Sequence, residues 1–202
     1  LADLVHRAQL TSRERDVLAD ADALRPLAGH RHRARWGALG TERLPGLLAG
    51  RSAAEPSLDL RVPGEAQEIA ADYASVGLTL RRHPVALLRP KLDAWKVQRA
   101  SDLEHLPSGR RIRVAGLVVN RQRPQTAKGT VFMTLEDETG SHNLIVWNSV
   151  LSEQRLAALG SKFLIVSGDL QKSEGVTHVV VRKFHDASRM VGSLETASRD
   201  FH

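Results

Sequence analysis

The C-terminal half of the chain consists mainly of short runs of strand-forming residues, a pattern that few folds can accommodate. Residues 110–122 and the later runs GTVFMTLE and HNLIVW are rich in β-branched and alternating apolar side chains, and the turn-rich DETGS between the last two predicts a tight hairpin. SVLSEQRLAALG predicts a helix that ends at Gly160. KFLIVSGDLQ and VTHVVVRKF then predict two more strands, joined by KSEG. The expected order is three strands, one helix and two strands.

That order is the one found in the five-stranded oligonucleotide-binding barrel, the OB-fold. We therefore predict an OB-fold at residues 108–185, with one helix between its third and fourth strands. Leucine and valine spacings typical of short amphipathic helices predict a helical part at 1–40, whereas the prolines and glycines of 41–64 predict a connector. Residues 65–107 are predicted to be a helical scaffold and residues 186–202 a C-terminal tail. The expected fold class is α+β.

Composition narrows the class of protein. The 202 residues are 42% hydrophobic and 26% charged, values typical of a folded globular protein. No stretch is long and apolar enough to span a membrane, the N-terminus lacks a secretion signal, and cysteine is absent. We therefore expect a cytoplasmic protein without disulfides or membrane contact. Because the first methionine is Met133, we expect a fragment of a longer protein.

Positive charge is concentrated in the predicted barrel. The net charge of the chain is +6, and residues 108–185 contain eleven Lys and Arg against six Asp and Glu. An excess of this kind favours a polyanionic partner. Ligands of an OB-fold cross strands two and three, between the loop joining strands one and two and the loop joining strands four and five. Here those loops are RQRPQTAKG and QKSEG. The predicted nucleic-acid-binding cations are Arg121, Arg123, Lys128 and Lys172 in the loops and Arg113 and Arg182 on strands.

Two aromatic residues belong to the same predicted site. Phe132 lies on the side of its strand opposite Val131 and Met133, in a chain with only 4% aromatic residues. Rings between cations are what single-strand binding requires, since bases stack on them without regard to sequence. We therefore predict that Phe132 and Trp147 contact bases. Two structural alternatives stay open: Phe132 packs under the first loop, or Trp147 covers the core.

Sequence patterns for catalysis are weak. Asp20 and Asp22 lie two residues apart in a predicted helix, where their side chains point in different directions and cannot share a metal ion. The acidic run at 136–138 falls at the hairpin turn and is expected to be solvated. The sequence contains no phosphate-binding glycine loop, nucleophile elbow or zinc-protease helix. We therefore expect no catalytic residue, metal site or cofactor in this chain.

Several segments together resemble a known family. DYASVGLTLRRHPVALLRPKL, RVAGLVVNRQRPQTAKGTVFMTLEDETGSHNLIVW and the terminal SRDFH are similar to the C-terminal region of bacterial C-family, DnaE-like DNA polymerases of the error-prone type. The resemblance implies that the N-terminal helices are the end of a helix-hairpin-helix-like region. Asp22 stands where such segments often have glycine, which argues against a phosphate-binding hairpin at that spot.

The resemblance also implies a function for the parent protein. Full-length members of the family are DNA-directed DNA polymerases that act in damage-induced (SOS) translesion synthesis and repair, with Mg²⁺ held in a palm domain outside this region. Their companions are single-stranded DNA, a Y-family-like accessory protein and the sliding clamp. The first hypothesis is that this chain is a non-catalytic part that binds single-stranded template DNA through its OB-fold. The alternative is a protein-interaction module that docks the accessory protein or the clamp.

Overall fold

The computed structural model describes residues 1–40, 60–124, 129–173 and 175–192, and the backbone of 199–201. Most of the predicted connector therefore lies outside the described residues. The chain divides into two compact units, Leu1–Thr79 and Leu80–His202. This division falls inside the segment that we predicted as a helical scaffold.

The first unit is helical. Thr11 begins the second helix with a capping box, as its side chain accepts from the Glu14 backbone N–H while the Glu14 carboxylate accepts from the Thr11 N–H at 2.7 Å. Gly77 ends the last helix of this unit in the left-handed conformation, with φ 75°. The helices are α1 (Ala2–Arg7), α2 (Ser12–Asp20), α3 (Arg25–Ala28), α4 (Arg31–Leu39) and α5 (Glu65–Val76).

A small apolar core and a buried ion-pair cluster hold this unit together. Ala19, Leu24 and Ala34 are buried between α2, α3 and α4. The buried guanidinium of Arg31 on α4 pairs with Asp72 and lies 3.6 Å from the Glu68 carboxylate, both on α5. Because a buried charge is costly without partners, this cluster fixes α4 against α5.

The second unit contains the strands. It begins with α6 (Pro84–Ala94) and a 3-10 helix at Ala100–His105. Two short helices, α7 (Asn148–Glu153) and α8 (Arg155–Gly160), separate the third strand from the fourth, and a second 3-10 helix spans Ser188–Val191. The strands are β1 (Arg111–Gln122), β2 (Val131–Asp137), β3 (Gly140–Val146), β4 (Phe163–Ser173), β5 (Val176–Asp186) and β6 (Arg199–Phe201).

Strands β1 to β5 close into a barrel. The sheet order is β2-β3-β5-β4-β1-β6, and β2 also pairs with β1. The α+β class and the five-stranded OB-fold are thus confirmed. The predicted helix between strands three and four is interrupted at Gln154. The Gln154 side chain donates to the Arg182 carbonyl and accepts from the Phe184 N–H, both on β5. The predicted tail also supplies a strand, β6, which pairs in parallel with the end of β1.

The barrel interior is filled by the inward side chains of all five strands. Val114, Leu135, Val146, Val166 and Val179 are among the completely buried members of this core.

Gly116 lets β1 approach β2 closely, because a Cβ at this position would lie 2.6 Å from the Glu136 carbonyl oxygen. A side chain there would push the two strands apart.

Candidate nucleic-acid interface

The outward side of β2 presents the ring predicted to contact bases. Burial alternates along the strand, with Val131, Met133 and Leu135 inside the barrel and Phe132 38% exposed. Phe132 pairs with Ile145 on β3, which in turn pairs with Val180 on β5. These three residues form an apolar strip across three strands, flanked by the register row of Thr134, Asn143 and His178. We call this surface the Phe132 face.

Sequence reasoning missed two members of the strip. Ile145 and Val180 are partly exposed and share a register row. Their own strands show only ordinary apolar alternation. The parallel pairing of β3 with β5, which places them side by side, joins segments about 35 positions apart and has no local signal in the sequence.

Trp147 lies at the end of β3, immediately before α7. Its ring is 52% exposed and its backbone carbonyl accepts from the Leu151 N–H at 3.0 Å as the helix begins. The ring therefore does not serve as a buried cover of the core. Whether it contacts bases stays a prediction.

The structure places Arg121 in the barrel wall and not in the first loop. Its side chain is 7% exposed, and its Nε and Nη2 atoms donate to the carbonyl oxygens of Ala158 and Ser161 at 2.9 and 2.6 Å. These acceptors lie at the C-terminal end of α8, where helix carbonyls lack partners within the helix and attract cations. This geometry contradicts a phosphate contact and gives Arg121 a structural role.

The remaining loop cations differ in their surroundings. Arg123 is exposed just beyond β1, whereas Lys128 lies outside the described residues. Lys172 lies on β4 and not in the following loop, and its Nζ donates to the Glu104 carbonyl at 2.6 Å. Of the predicted loop cations in the described part of the chain, Arg123 is the one exposed beside the Phe132 face, since Gln122 pairs with Phe132.

Arg113 and Arg182 belong to a different side of the barrel. Both extend outward from β1 and β5 on the side where these strands flank β4. Arg182 Nε lies 2.5 Å from Asp169, and Arg111 lies 3.4 Å from the same carboxylate. The hydrogen bond from Arg182 holds the pKa of the Asp169 carboxyl below its usual range. The predicted site therefore does not come together on one surface.

The hairpin turn between β2 and β3 is organised by a buried carboxylate. Asp137 accepts from the Thr139 N–H and hydroxyl at 2.7 Å and from the Ala100 N–H at 2.9 Å, and lies 3.0 Å from His142 Nε2. Burial opposes ionisation, but the hydrogen bonds from His142 and Thr139 outweigh it and hold the pKa of Asp137 far below its usual range. The expectation that this acidic run is solvated is wrong for Asp137.

Asp20 and Asp22, which we did not expect to share a metal ion, each lie in an ion pair. Asp20 lies 3.2 Å from Arg35, and Asp22 lies 3.5 Å from Arg25. Within the described ranges, no group of three His, Asp or Glu side chains is arranged to hold a metal ion. In the same part of the chain, no helix has the length and apolar character needed to cross a membrane.

Comparison with known proteins gives a match to one domain family and to a set of similar proteins. Residues 99–187 match the family model described as "OB-fold nucleic acid binding domain". A protein named error-prone DNA polymerase from Methylococcus capsulatus is 49% identical over 100% of this chain and 19% of its own length. Its counterpart from Pseudomonas paraeruginosa is 46% identical over 99% of this chain and 20% of its own length.

Solved structures align with part of the chain. Asparaginyl-tRNA synthetase from Pyrococcus horikoshii aligns with 40% of this chain and 20% of its own, at 26% identity and a TM-score of 0.34. This chain spans about a fifth of the length of the curated relatives it matches. The resemblance predicted from the sequence is thus confirmed: over its whole length the chain is similar to bacterial proteins named error-prone DNA polymerase, and residues 99–187 match the OB-fold domain family.

Proposed function

We propose that this chain is the non-catalytic C-terminal part of a cytoplasmic error-prone DNA polymerase, and that it binds single-stranded template DNA during damage-induced translesion synthesis. The parent supplies the polymerase chemistry and its Mg²⁺ from a domain outside this chain. The relationship to proteins named error-prone DNA polymerase supports the parent's activity. The observation that carries the binding role is the strip on the outward side of the barrel, where Phe132 is exposed and Ile145 and Val180 are partly exposed.

The Phe132 face has the chemistry that an unpaired strand needs. A base can stack on the exposed Phe132 ring and extend over the apolar side chains beside it. Thr134 and Asn143 provide hydrogen-bonding groups in the next register row. Arg123 supplies a cation at the rim of the face, where a phosphate of the same strand would lie.

The test is the affinity of a labelled thymidine oligonucleotide for the chain, measured by fluorescence anisotropy at fixed salt. Stacking on an aromatic residue contributes about 1–3 kcal/mol per base, so Phe132→Ala should weaken binding about tenfold or more. Leu156→Ala, at an α8 side chain that is 91% exposed, is the matched control and should bind normally. A folded Phe132→Ala variant with unchanged affinity would contradict the proposal.

The docking of an accessory protein or sliding clamp through the tail is a second candidate function. The observation that favours it is the position of β6 at the end of the sheet order. An edge strand presents backbone groups that a partner strand can pair with. Deleting residues 192–202 should abolish capture of the partner and leave DNA affinity intact if docking is the tail's role. If the shortened chain still captured the partner, the tail would not be the docking segment.

A further inference from the structure

A cavity lies on the outward side of β1, β4 and β5, and of these three strands β5 also contributes Val180 to the Phe132 face. The cavity has a volume of about 270 Å³. Arg113, Ser167 and Lys183 form one register row across the three strands. Trp95, Arg113, Ser167 and Lys183 are among the residues that line the cavity, and we call the site the Trp95 cavity.

The ring in this cavity is fastened to the barrel. Trp95 follows α6 and is 45% exposed, while its carbonyl oxygen accepts from Arg113 Nη1 at 3.2 Å. Three residues after Trp95, the Gln98 N–H donates to the Arg113 carbonyl at 2.8 Å. Between these two attachments Lys96 has φ 56°, a left-handed conformation that is rare for a residue other than glycine. The chain therefore turns sharply to hold Trp95 beside Arg113.

The cations of the cavity differ from their neighbours in being unneutralised. Arg111 and Arg182 share the carboxylate of Asp169, at 3.4 and 2.5 Å. Over the described residues, neither Arg113 nor Lys183 has a carboxylate within ion-pair distance. On this face of the sheet, Arg111 and Arg182 are thus neutralised by Asp169. Arg113 and Lys183 are open to an anion.

We propose that the Trp95 cavity binds a nucleotide unit, with its phosphate between Arg113 and Lys183 and its base against the Trp95 indole. The Ser167 hydroxyl lies between the two cations in the register row and can donate to the same phosphate. Guanidinium and ammonium groups form strong charge-assisted hydrogen bonds to phosphate oxygens, and an exposed indole stacks on any base.

The combination of groups favours a nucleotide over an acidic peptide. A carboxylate-rich segment would use the two cations and leave the indole without a partner, whereas a nucleotide uses both. The volume of the cavity lies just under the range of about 300–1,000 Å³ typical of small-molecule sites, so it limits the ligand to about one nucleotide unit. The unit can come from a strand or from a free nucleotide, and in either case the site goes beyond the proposed binding across the Phe132 face.

The chain's own tryptophans provide the test. The sequence has three, Trp36, Trp95 and Trp147, so a Trp36→Phe/Trp147→Phe variant of the 202-residue chain reports on Trp95 alone. Titration with thymidine monophosphate, and separately with a thymidine tetranucleotide, should give saturable fluorescence quenching. Lys183→Ala removes one charge-assisted phosphate contact and should raise the apparent Kd about tenfold. Arg182→Ala is the matched control and should change it less than about twofold, since that guanidinium is already paired.

The possible outcomes distinguish a strand from a free nucleotide, and a nucleotide from an acidic peptide. Tighter quenching by the tetranucleotide indicates a strand as the source, and equal quenching by the monophosphate indicates a free nucleotide. Adding Phe132→Ala to the reporter variant should leave the signal unchanged, so failure here is distinct from failure on the Phe132 face. Absence of saturable quenching by both ligands, equal losses in Lys183→Ala and Arg182→Ala, or equal binding of a polyglutamate peptide would overturn the proposal.

Discussion

The two outward surfaces of the barrel divide the groups that nucleic-acid binding needs. The Phe132 face on β2, β3 and β5 presents an apolar strip with one exposed loop cation, Arg123, beside it in the described part of the chain. The second surface, on β1, β4 and β5, adjoins the first at β5 and presents four cations, one acid and the Trp95 ring. Stacking therefore dominates on the first surface and charge on the second, so their ligands should respond differently to ring removal and to salt.

The division follows from barrel closure. Every strand of a closed sheet presents alternate side chains outward, but successive strands turn around the barrel axis. Arg113 on β1 and Phe132 on β2 both point outward and still belong to different surfaces. The site predicted from outward positions along the sequence therefore combined residues that lie on different surfaces of the barrel.

The largest expected effect tests the hairpin that supports the Phe132 face. Asp137→Asn removes a buried charge whose hydrogen bonds fix the β2–β3 turn, and hydrogen bonds to charged groups contribute about 1.5–3 kcal/mol. We expect a loss of about 3 kcal/mol in the free energy of unfolding by urea at neutral pH. Glu136→Gln, at the half-exposed neighbour of Asp137, should cost under about 1 kcal/mol.

The same substitution has a defined pH dependence. Because the folded-state pKa of Asp137 is depressed, its contribution is present above the unfolded value of about 4 and is lost as pH falls below it. The difference in stability between the native chain and Asp137→Asn should therefore shrink on acidification. A difference that stays constant between about pH 6 and pH 3 would show that the charge does not matter.

A smaller effect distinguishes Arg121 from the DNA-contacting cations. Arg121→Ala leaves the carbonyls of Ala158 and Ser161 without their donors, and an unsatisfied buried acceptor costs about 1–3 kcal/mol. We expect about 2 kcal/mol less stability in urea unfolding and an unchanged salt dependence of DNA affinity. A stable Arg121→Ala protein with a flatter salt dependence would return Arg121 to the binding site.

The smallest expected effect concerns Arg123, the matched counterpart in the same stretch of chain. Its exposed side chain should contribute little to stability, while each lost phosphate contact lowers the slope of log affinity against log salt by about 0.7 for a single strand. Arg123→Ala should therefore reduce the slope by about that amount, as measured in titrations at several salt concentrations. An unchanged slope would remove Arg123 from the Phe132 face.

The sequence predicts the barrel well because its signals are local. Period-two alternation and turn residues identify the five strands, and the same alternation places Phe132 opposite Val131 and Met133. Arg121 escapes this reasoning because β1 continues to Gln122, into the segment predicted as the first loop, and because the register shifts between Val118 and Asn120. A bulge of this kind changes which residues point inward, and it leaves no mark in the sequence.

The remaining errors come from long-range contacts. Asp137 at a hairpin turn was expected to be solvated, and it is buried because the Ala100 backbone, 37 positions away, docks on it. Trp95 belongs to a predicted helical scaffold, and it joins the barrel surface because Gln98 bridges to Val114 and Arg113 donates to the Trp95 carbonyl. Neither contact can be inferred from spacing or composition.

The most direct test of strand binding on the Phe132 face is photo-crosslinking of the chain to a short single-stranded oligonucleotide containing 5-iododeoxyuridine, followed by tryptic mapping. Cleavage after Lys128 and Arg155 yields one peptide, 129–155, that contains Phe132, and cleavage after Lys91 and Lys96 yields a separate peptide with Trp95. We predict crosslinks in 129–155 that are lost in Phe132→Ala. Crosslinks that avoid 129–155, or that persist there unchanged in Phe132→Ala, would contradict binding across this face.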